Sequence, residues 1–167
     1  MAQITDDEVR NIQKAVFDLI QKGQLEDAMS LVQTLLENDP NDAIALNFLG
    51  IIHLELQNFH LAYQYLRRAL QEKVNIAPEW VNFCLAAHEL GRNKEAINAY
   101  LKSAELDNNY VKAYVNAAAL FIEESQWEDA KKACEIALEI DPDSDMAKKN
   151  LAHVHLARHE WTQGWKY

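Results

Sequence analysis

A small side chain returns every 34 residues along this chain: Ala28, Ala62, Ala96 and Ala130 keep that spacing, and the next step lands on Gly164. A second column runs Leu35, Ala69, Ser103 and Ala137. A third sets a larger or equal residue before a small one at Leu49-Gly50, Phe83-Cys84, Ala117-Ala118 and Leu151-Ala152. Pro40 and Pro142 stand three periods apart. A fixed period of roughly 20–50 residues marks a repeat architecture, in which each period is one supersecondary unit stacked on the next.

Inside each period the apolar spacing is helical twice over. In the second period Leu46, Leu49, Gly50 and His53 mark one stripe, and Ala62, Tyr65, Leu66 and Ala69 mark another, both at i, i+3, i+4, i+7. Each period therefore predicts a pair of helices. The breaks keep the same phase: Lys22-Gly23-Gln24, Leu56-Gln57-Asn58, Leu90-Gly91-Arg92, Glu124-Ser125-Gln126 and Arg158-His159-Glu160 read as the tight turn inside each pair. Asn38-Asp39-Pro40-Asn41-Asp42 and Asp141-Pro142-Asp143-Ser144 close a pair, because proline restricts the residue before it and cannot continue a helix. Pro78 falls in a first turn, where its missing N–H costs little, and Thr5-Asp6-Asp7-Glu8 predicts a capping box. With 4 Gly and 3 Pro in 167 residues, the chain lacks the turn chemistry of an all-β sandwich or barrel.

Trp80, Phe83, Ala96, Tyr100 and Ala104 in one period, and Tyr114, Ala117, Phe121, Ala130, Ala137 and Pro142 in another, resemble the tetratricopeptide repeat (TPR) pattern of aromatic, Leu-Gly, Tyr, Ala, Phe, Ala and Pro. The resemblance implies an all-α fold, a right-handed α-solenoid of stacked helix-turn-helix units. It divides the chain into a lead-in over 1–8, four units over 9–42, 43–76, 77–110 and 111–144, and a partial fifth over 145–167. Val16 stands where Gly or Ala is usual, and Val74 and Asn108 where Pro is usual, which leaves the helix angles there open. One hairpin cannot cover its own apolar face, so stacking must supply the core, and each small column marks a close approach between helices.

Resemblance to TPR proteins also implies that successive first helices line a concave groove for an extended peptide or a partner's helix. Three sets of residues fall on that face. Asn82, Asn116 and Asn150 keep the 34-residue spacing, and an amide can pair with both the C=O and the N–H of a peptide unit. Neighbouring first helices about 10 Å apart would let one Asn grip every third residue of a strand advancing ~3.3 Å per residue. This resembles the asparagine ladder of peptide-binding helical solenoids, although Asn is common at this place in TPR units of every function. Glu55, Glu89 and Glu123 form a second row near the ends of first helices, where they oppose the helix dipole and repel one another by ~0.4 kcal/mol in bulk water. Local stability does not explain the row, so it is expected either to attract Lys or Arg of a partner or to be a solvated edge. Ile51, Leu54, Leu85, Ala119 and Ile122 would give the groove an apolar floor, the alternative being core packing.

Other chemistry is thin. Lys plus Arg number 16 against 26 Asp plus Glu, a net charge of −10, which argues against nucleic-acid or membrane binding. Arg67-Arg68 and Lys131-Lys132, the basic clusters, fall on second helices. No apolar run approaches the roughly 18 residues of a membrane span and no secretory leader is evident, so a cytoplasmic location is expected by default. Cys84 and Cys134 show no CxxC spacing and sit in small-residue columns, as buried reduced thiols would. His155 and His159 are i, i+4, but one falls on the packed stripe and the other in a turn, so metal binding ranks below a structural reading. No phosphate loop, dinucleotide fingerprint or nucleophile elbow occurs, and no cofactor or catalytic residue is implied.

The expectation is a non-catalytic protein-protein interaction module. The carboxylate-clamp subclass of TPR proteins, which needs Lys and Arg in the groove beside Asn, is disfavoured, since Val81, Leu85, Val115 and Ala119 line the corresponding helices. Two alternatives stay open. Trp161-Thr162-Gln163-Gly164-Trp165-Lys166-Tyr167 resembles the end of TPR arrays that precede glycosyltransferase domains, as in the accessory region of a larger enzyme. The same tail lacks a polar capping helix, so Trp161, Trp165 and Tyr167 would offer an uncapped edge for homo-oligomer assembly as a scaffold.

Overall fold

The computed structural model describes residues 4–72 and 76–160. Among them are nine helices and no strand: α1 (Asp6–Gln21), α2 (Leu25–Asn38), α3 (Ala43–Glu55), α4 (Phe59–Gln71), α5 (Ala77–Glu89), α6 (Asn93–Leu106), α7 (Val111–Glu123), α8 (Trp127–Ile140) and α9 (Asp145–Ala157). Packing divides the chain into two units, Met1–Asn75 with Leu85–Gly91, and Ile76–Cys84 with Arg92–Tyr167. Gly164 and Val74 lie outside the described residues.

α1 opens as the sequence predicts. Thr5 Oγ1 accepts from the Glu8 N–H, and Glu8 Oε2 accepts from the Thr5 N–H at 2.8 Å, a reciprocal capping box. Each hairpin then turns on one residue in the left-handed region: Gly23 (φ 71°), Gln57 (57°), Gly91 (70°), Ser125 (58°) and His159 (61°), which are 34 residues apart. The backbone closes as a Schellman motif, in which the N–H of Gln24, Asn58, Gln126 and Glu160 donates to the carbonyl of Leu19, His53, Phe121 and His155 at 2.7–2.9 Å. Glycine takes this conformation freely, whereas a side chain costs about 1 kcal/mol there. Gln57, Ser125 and His159 are therefore held by the hairpins they join.

Among the described residues, the turns after α2, α6 and α8 rest on a carboxylate. Oδ1 of Asp39, Asp107 and Asp141 accepts from the N–H two residues on, at 3.0 Å each. The carbonyl of the same aspartate accepts from Asp42, Tyr110 or Ser144 at 3.1 Å. Asn108 lacks the restriction of Pro40 and Pro142, yet its turn carries the same bonds, so aspartate sets the geometry that proline only reinforces.

In the first unit Val16, Ala28, Val32, Leu35, Ala45 and Ile52 form a core with almost no exposure. In the second, Val115, Ala137 and Ala147 form another, joined by Val111, Tyr114 and Leu138. The small column Ala28, Ala62, Ala96 and Ala130 is fully buried. Ser103, the polar member of its column, is satisfied by donating to the Ala77 carbonyl at 2.8 Å.

Bulk is exchanged between two of the columns. A Cβ added to Gly50 would overlap Cγ and Cδ2 of Leu66, so α3 and α4 meet where no side chain fits on one of them. The equivalent positions hold Cys84 with Tyr100, Ala118 with Cys134, and Val16 with Val32, all buried. Val16, the departure from the TPR pattern, thus stands where the opposite column is smaller than Leu66 or Tyr100.

Two outcomes follow for thermal or urea denaturation. Gly50→Ala is expected to cost ~1–3 kcal/mol by overpacking, outweighing its gain of about 1 kcal/mol in helix propensity, and adding Leu66→Val should recover part of the loss. A neutral Gly50→Ala would show that α3 and α4 do not need this approach. Gln57→Gly and Ser125→Gly are each expected to gain about 1 kcal/mol, while Gly91→Ala loses a similar amount. Equal stabilities across that series would contradict the left-handed turns.

Candidate functional site

The free face of each first helix is built by the turn angle of the helix. At about 100° per residue, Ile51, Leu54 and Glu55 lie on one side of α3 and Leu49 and His53 on the other. Leu49 is buried in the first unit's core, Ile51 and Leu54 are half-buried, and Glu55 is exposed. On α7, Ala118 and Phe121 are buried, Ala119 and Ile122 are half-buried, and Glu123 is exposed. α5 shows the sharpest contrast: Leu85 is 38% exposed between Cys84 and Ala86, each at 0%. An apolar face that the unit's own packing leaves partly open is thus present in each unit. Glu55, Glu89 and Glu123 are the final residues of α3, α5 and α7.

The asparagine column is partly engaged by the chain itself. Asn150 donates from Nδ2 to the Val115 carbonyl at 3.1 Å, tying α9 to α7. Asn116 is hydrogen-bonded to the Tyr100 hydroxyl, which is also bonded to the Cys84 thiol. Burial pushes the Tyr100 hydroxyl pKa upward and the Cys84 thiol up to about 12. Cys134 is likewise pushed up to about 12 by burial, and both cysteines are free and buried, which removes thiolate chemistry at neutral pH. Asn82, Asn116 and Asn150 are each half-buried. The oxygen of the Asn150 amide and its second N–H remain beyond the one bond described.

No group of three or more metal-ligating side chains converges among the described residues. His155 is buried and shares a 2.6 Å bond between Nδ1 and Glu160 Oε2, while Arg158 pairs with Glu128 and Glu160. The His155 bond holds the Glu160 carboxyl below the usual carboxylate range. The Trp161, Trp165 and Tyr167 edge lies outside the described residues.

Two clefts that the residue pattern did not single out open on the reverse side of first helices. One, of about 380 Å³, lies between α2, α3 and α4 and is walled by Leu49, His53 and Tyr65. The other, of about 180 Å³, lies between α6, α7 and α8 beside Ala117 and Phe121. Leu49 and Ala117, and likewise His53 and Phe121, are two periods apart. That shared phase is the signal a sequence reading had available.

Tetratricopeptide repeat profiles match residues 18–74 and 80–110. The chain belongs to the tetratricopeptide repeat family. It is 27% identical over 146 residues to tetratricopeptide repeat-containing protein trd-1 of Caenorhabditis elegans, covering 71% of this chain and 19% of that protein. It spans only about a fifth to a quarter of the length of the curated relatives it matches, 21%, 19% and 26% for three of them. Among solved structures, MamA superposes with a TM-score of 0.82 at 19% identity, over 90% of this chain and 88% of the other. YrrB, described as a TPR protein with an unusual peptide-binding site, superposes with a TM-score of 0.79 at 17% identity, over 93% and 80%. These likenesses establish the fold class, an all-helical TPR solenoid.

Within the TPR phase one residue is out of place. Ala45, Ala113 and Ala147 occupy equivalents of one fully packed position, and Glu79 occupies the equivalent between Ala45 and Ala113. Glu79 is 3% exposed, its Oε2 has no hydrogen-bond partner, and burial pushes its pKa up to about 7. The folded state therefore keeps a proton that the unfolded chain releases near the ordinary carboxylate value. Stability from this group is full below about 4.5, falls as pH rises, and is lost above about 7. Denaturation followed across that window should show a fall of no more than ~3 kcal/mol that disappears in Glu79→Gln. A slope identical in the two proteins would place the titration elsewhere.

Proposed function

We propose that this TPR chain is a non-catalytic protein-protein interaction module whose first-helix face takes a peptide or helix of a partner. The observation that carries the reading is the open apolar strip ended by carboxylates: Leu85 stands 38% exposed amid fully buried neighbours, and Glu89 closes the same helix. Ile51 and Leu54 in the first unit, and Ala119 and Ile122 in the second, offer further half-buried apolar contact on their own helices, and Asn82, Asn116 and Asn150 supply amides for a partner's backbone. Glu55, Glu89 and Glu123 favour a partner carrying Lys or Arg. The likeness of the fold to YrrB, a TPR protein with a peptide-binding site, points the same way.

A second reading is favoured by the length comparison. Because the chain spans about a fifth to a quarter of the relatives it matches, it is also proposed to act as the recognition region of a larger assembly or enzyme rather than as an isolated adaptor. The division into four units over 9–144 and a fifth begun at 145 belongs to the same proposal. No helix among the described residues is long and apolar enough to cross a membrane, which fits the proposed cytoplasmic setting.

Peptides selected from a displayed random library on the full chain provide the test. Selected ligands should be enriched in Lys or Arg, and their affinity should fall with ionic strength more steeply for the wild type than for the triple Glu55→Gln, Glu89→Gln, Glu123→Gln variant. Leu85→Asp, checked for helicity by circular dichroism, should weaken the same ligands by about tenfold or more. Unchanged salt slopes would remove the carboxylates from the site, and unchanged binding in Leu85→Asp would remove the face altogether.

A further inference from the structure

The cleft behind α3 is separate from the face proposed above. It holds about 380 Å³ between α2, α3 and α4, all in one unit. Met29, Leu36 and Leu49 give it apolar walls, and Gln33 and Glu37, exposed and one turn apart on α2, stand at its margin. Opposite them the His53 ring lies parallel to Tyr65, with centroids 5.5 Å apart and planes within 4°.

His53 has an unmet hydrogen-bonding demand. Its Nδ1 is buried without a partner, and burial lowers its pKa, which favours the neutral ring. Three periods later His155 occupies the same repeat position, and there Nδ1 is bonded to Glu160 at 2.6 Å. The residue equivalent to Glu160 in the His53 hairpin is Asn58, whose side chain does not cap or reach the ring. His53 lines the cleft, and a half-turn about Cβ–Cγ keeps the ring plane and its stack while moving Nδ1 to the opposite ring edge. The cleft of the other unit has Phe121 at the phase of His53 and Leu101 at the phase of Gln33, and is the more apolar version of the same device.

A carboxylate, an amide oxygen, a neutral imidazole and an aromatic surface together ask for a flat cationic donor on an apolar stem. We infer that the α2–α3–α4 cleft receives an arginine side chain of a partner protein. The guanidinium pairs with Glu37 and the Gln33 oxygen, lies on the Tyr65–His53 surface and donates to the imidazole, while its methylenes follow Met29, Leu36 and Leu49. An ammonium satisfies the charge but neither the plane nor the fork of donors.

The full chain, labelled with ¹⁵N, is titrated with n-butylguanidinium, n-butylammonium and 1-butanol, and the His53 ring resonances are followed together with the backbone amides of Leu36 and Leu49, which report affinity in the variant that lacks His53. Butylguanidinium should give a saturable His53 shift, its affinity falling about tenfold in Glu37→Gln and severalfold in His53→Phe, which keeps an aromatic stack without the nitrogen. Backbone amide spectra show that both variants stay folded. The assignment is overturned by the absence of a saturable shift, by equal affinity in Glu37→Gln, or by an equal response to butylammonium or butanol, which would mark a merely apolar cleft.

Discussion

The close approach of α3 and α4 at Gly50 is the contact on which the arrangement of each hairpin depends. Where Leu66 fills the space a Cβ would need, the two helices can meet in one relative position only, because a slide along either axis brings backbone against a branched side chain. The same columns carry Cys84 with Tyr100, Ala118 with Cys134 and Val16 with Val32 in other hairpins, so the contact stays buried while its residue types change. Once the small columns are consumed by these contacts, the side of α3 that carries Ile51 and Leu54, and that of α7 that carries Ala119 and Ile122, are each left only half-buried. The free face is thus a by-product of how the hairpins close.

The repeat made much of the fold legible. Left-handed turn residues recur at Gly23, Gln57, Gly91, Ser125 and His159, and a turn that must fall at one phase is visible even where glycine is replaced, because the apolar stripes on either side stop there. The turn after α6 was less legible. Its proline is missing, and the Asp107 side chain that makes the bond is inconspicuous among 26 acidic residues. Glu79 was invisible for a related reason: a charged residue in a first turn reads as dipole compensation, and only tertiary packing reveals that this one is buried without a partner. The clefts depend on three helices at once. A stripe analysis puts His53 on the packed side of α3, but cannot tell that the packing stops short of it.

The asparagine column illustrates how one residue type can answer two demands. A tyrosine buried in the TPR aromatic column brings a hydroxyl into the core, and that hydroxyl must be paired. Asn116 and Cys84 pair it, and Asn150 does similar service for the carbonyl of Val115. An amide has more bonding capacity than either contact uses, so a role in holding neighbouring helices leaves an oxygen or an N–H for a ligand backbone. Replacing such an Asn by Ala would therefore disturb packing along with the proposed recognition. Exposed Leu85 and the helix-end glutamates separate the two, because they bear little on the core.

Charge gives the last step. A net charge of −10 spread over the chain biases encounters toward basic partners, yet at physiological salt a charge is largely screened beyond ~8 Å. Discrimination among basic partners must therefore come from the few carboxylates that sit beside apolar surface. On α3 those stand on opposite sides: Glu55 ends the helix next to Leu54 and Ile51, while Glu37 of α2 overlooks Leu49 and His53 across the cleft. The two proposed sites differ in what they would accept. A strip of half-buried aliphatics with a carboxylate at its end favours a segment that runs along the helix and carries its cation at one terminus of the contact, whereas a walled cleft with a stacked ring pair favours a single side chain entering end-on. Because a rigid helix separates the two faces, a partner long enough to wrap α3 would engage both with an effective concentration set by its own linker, and shorter partners would have to choose.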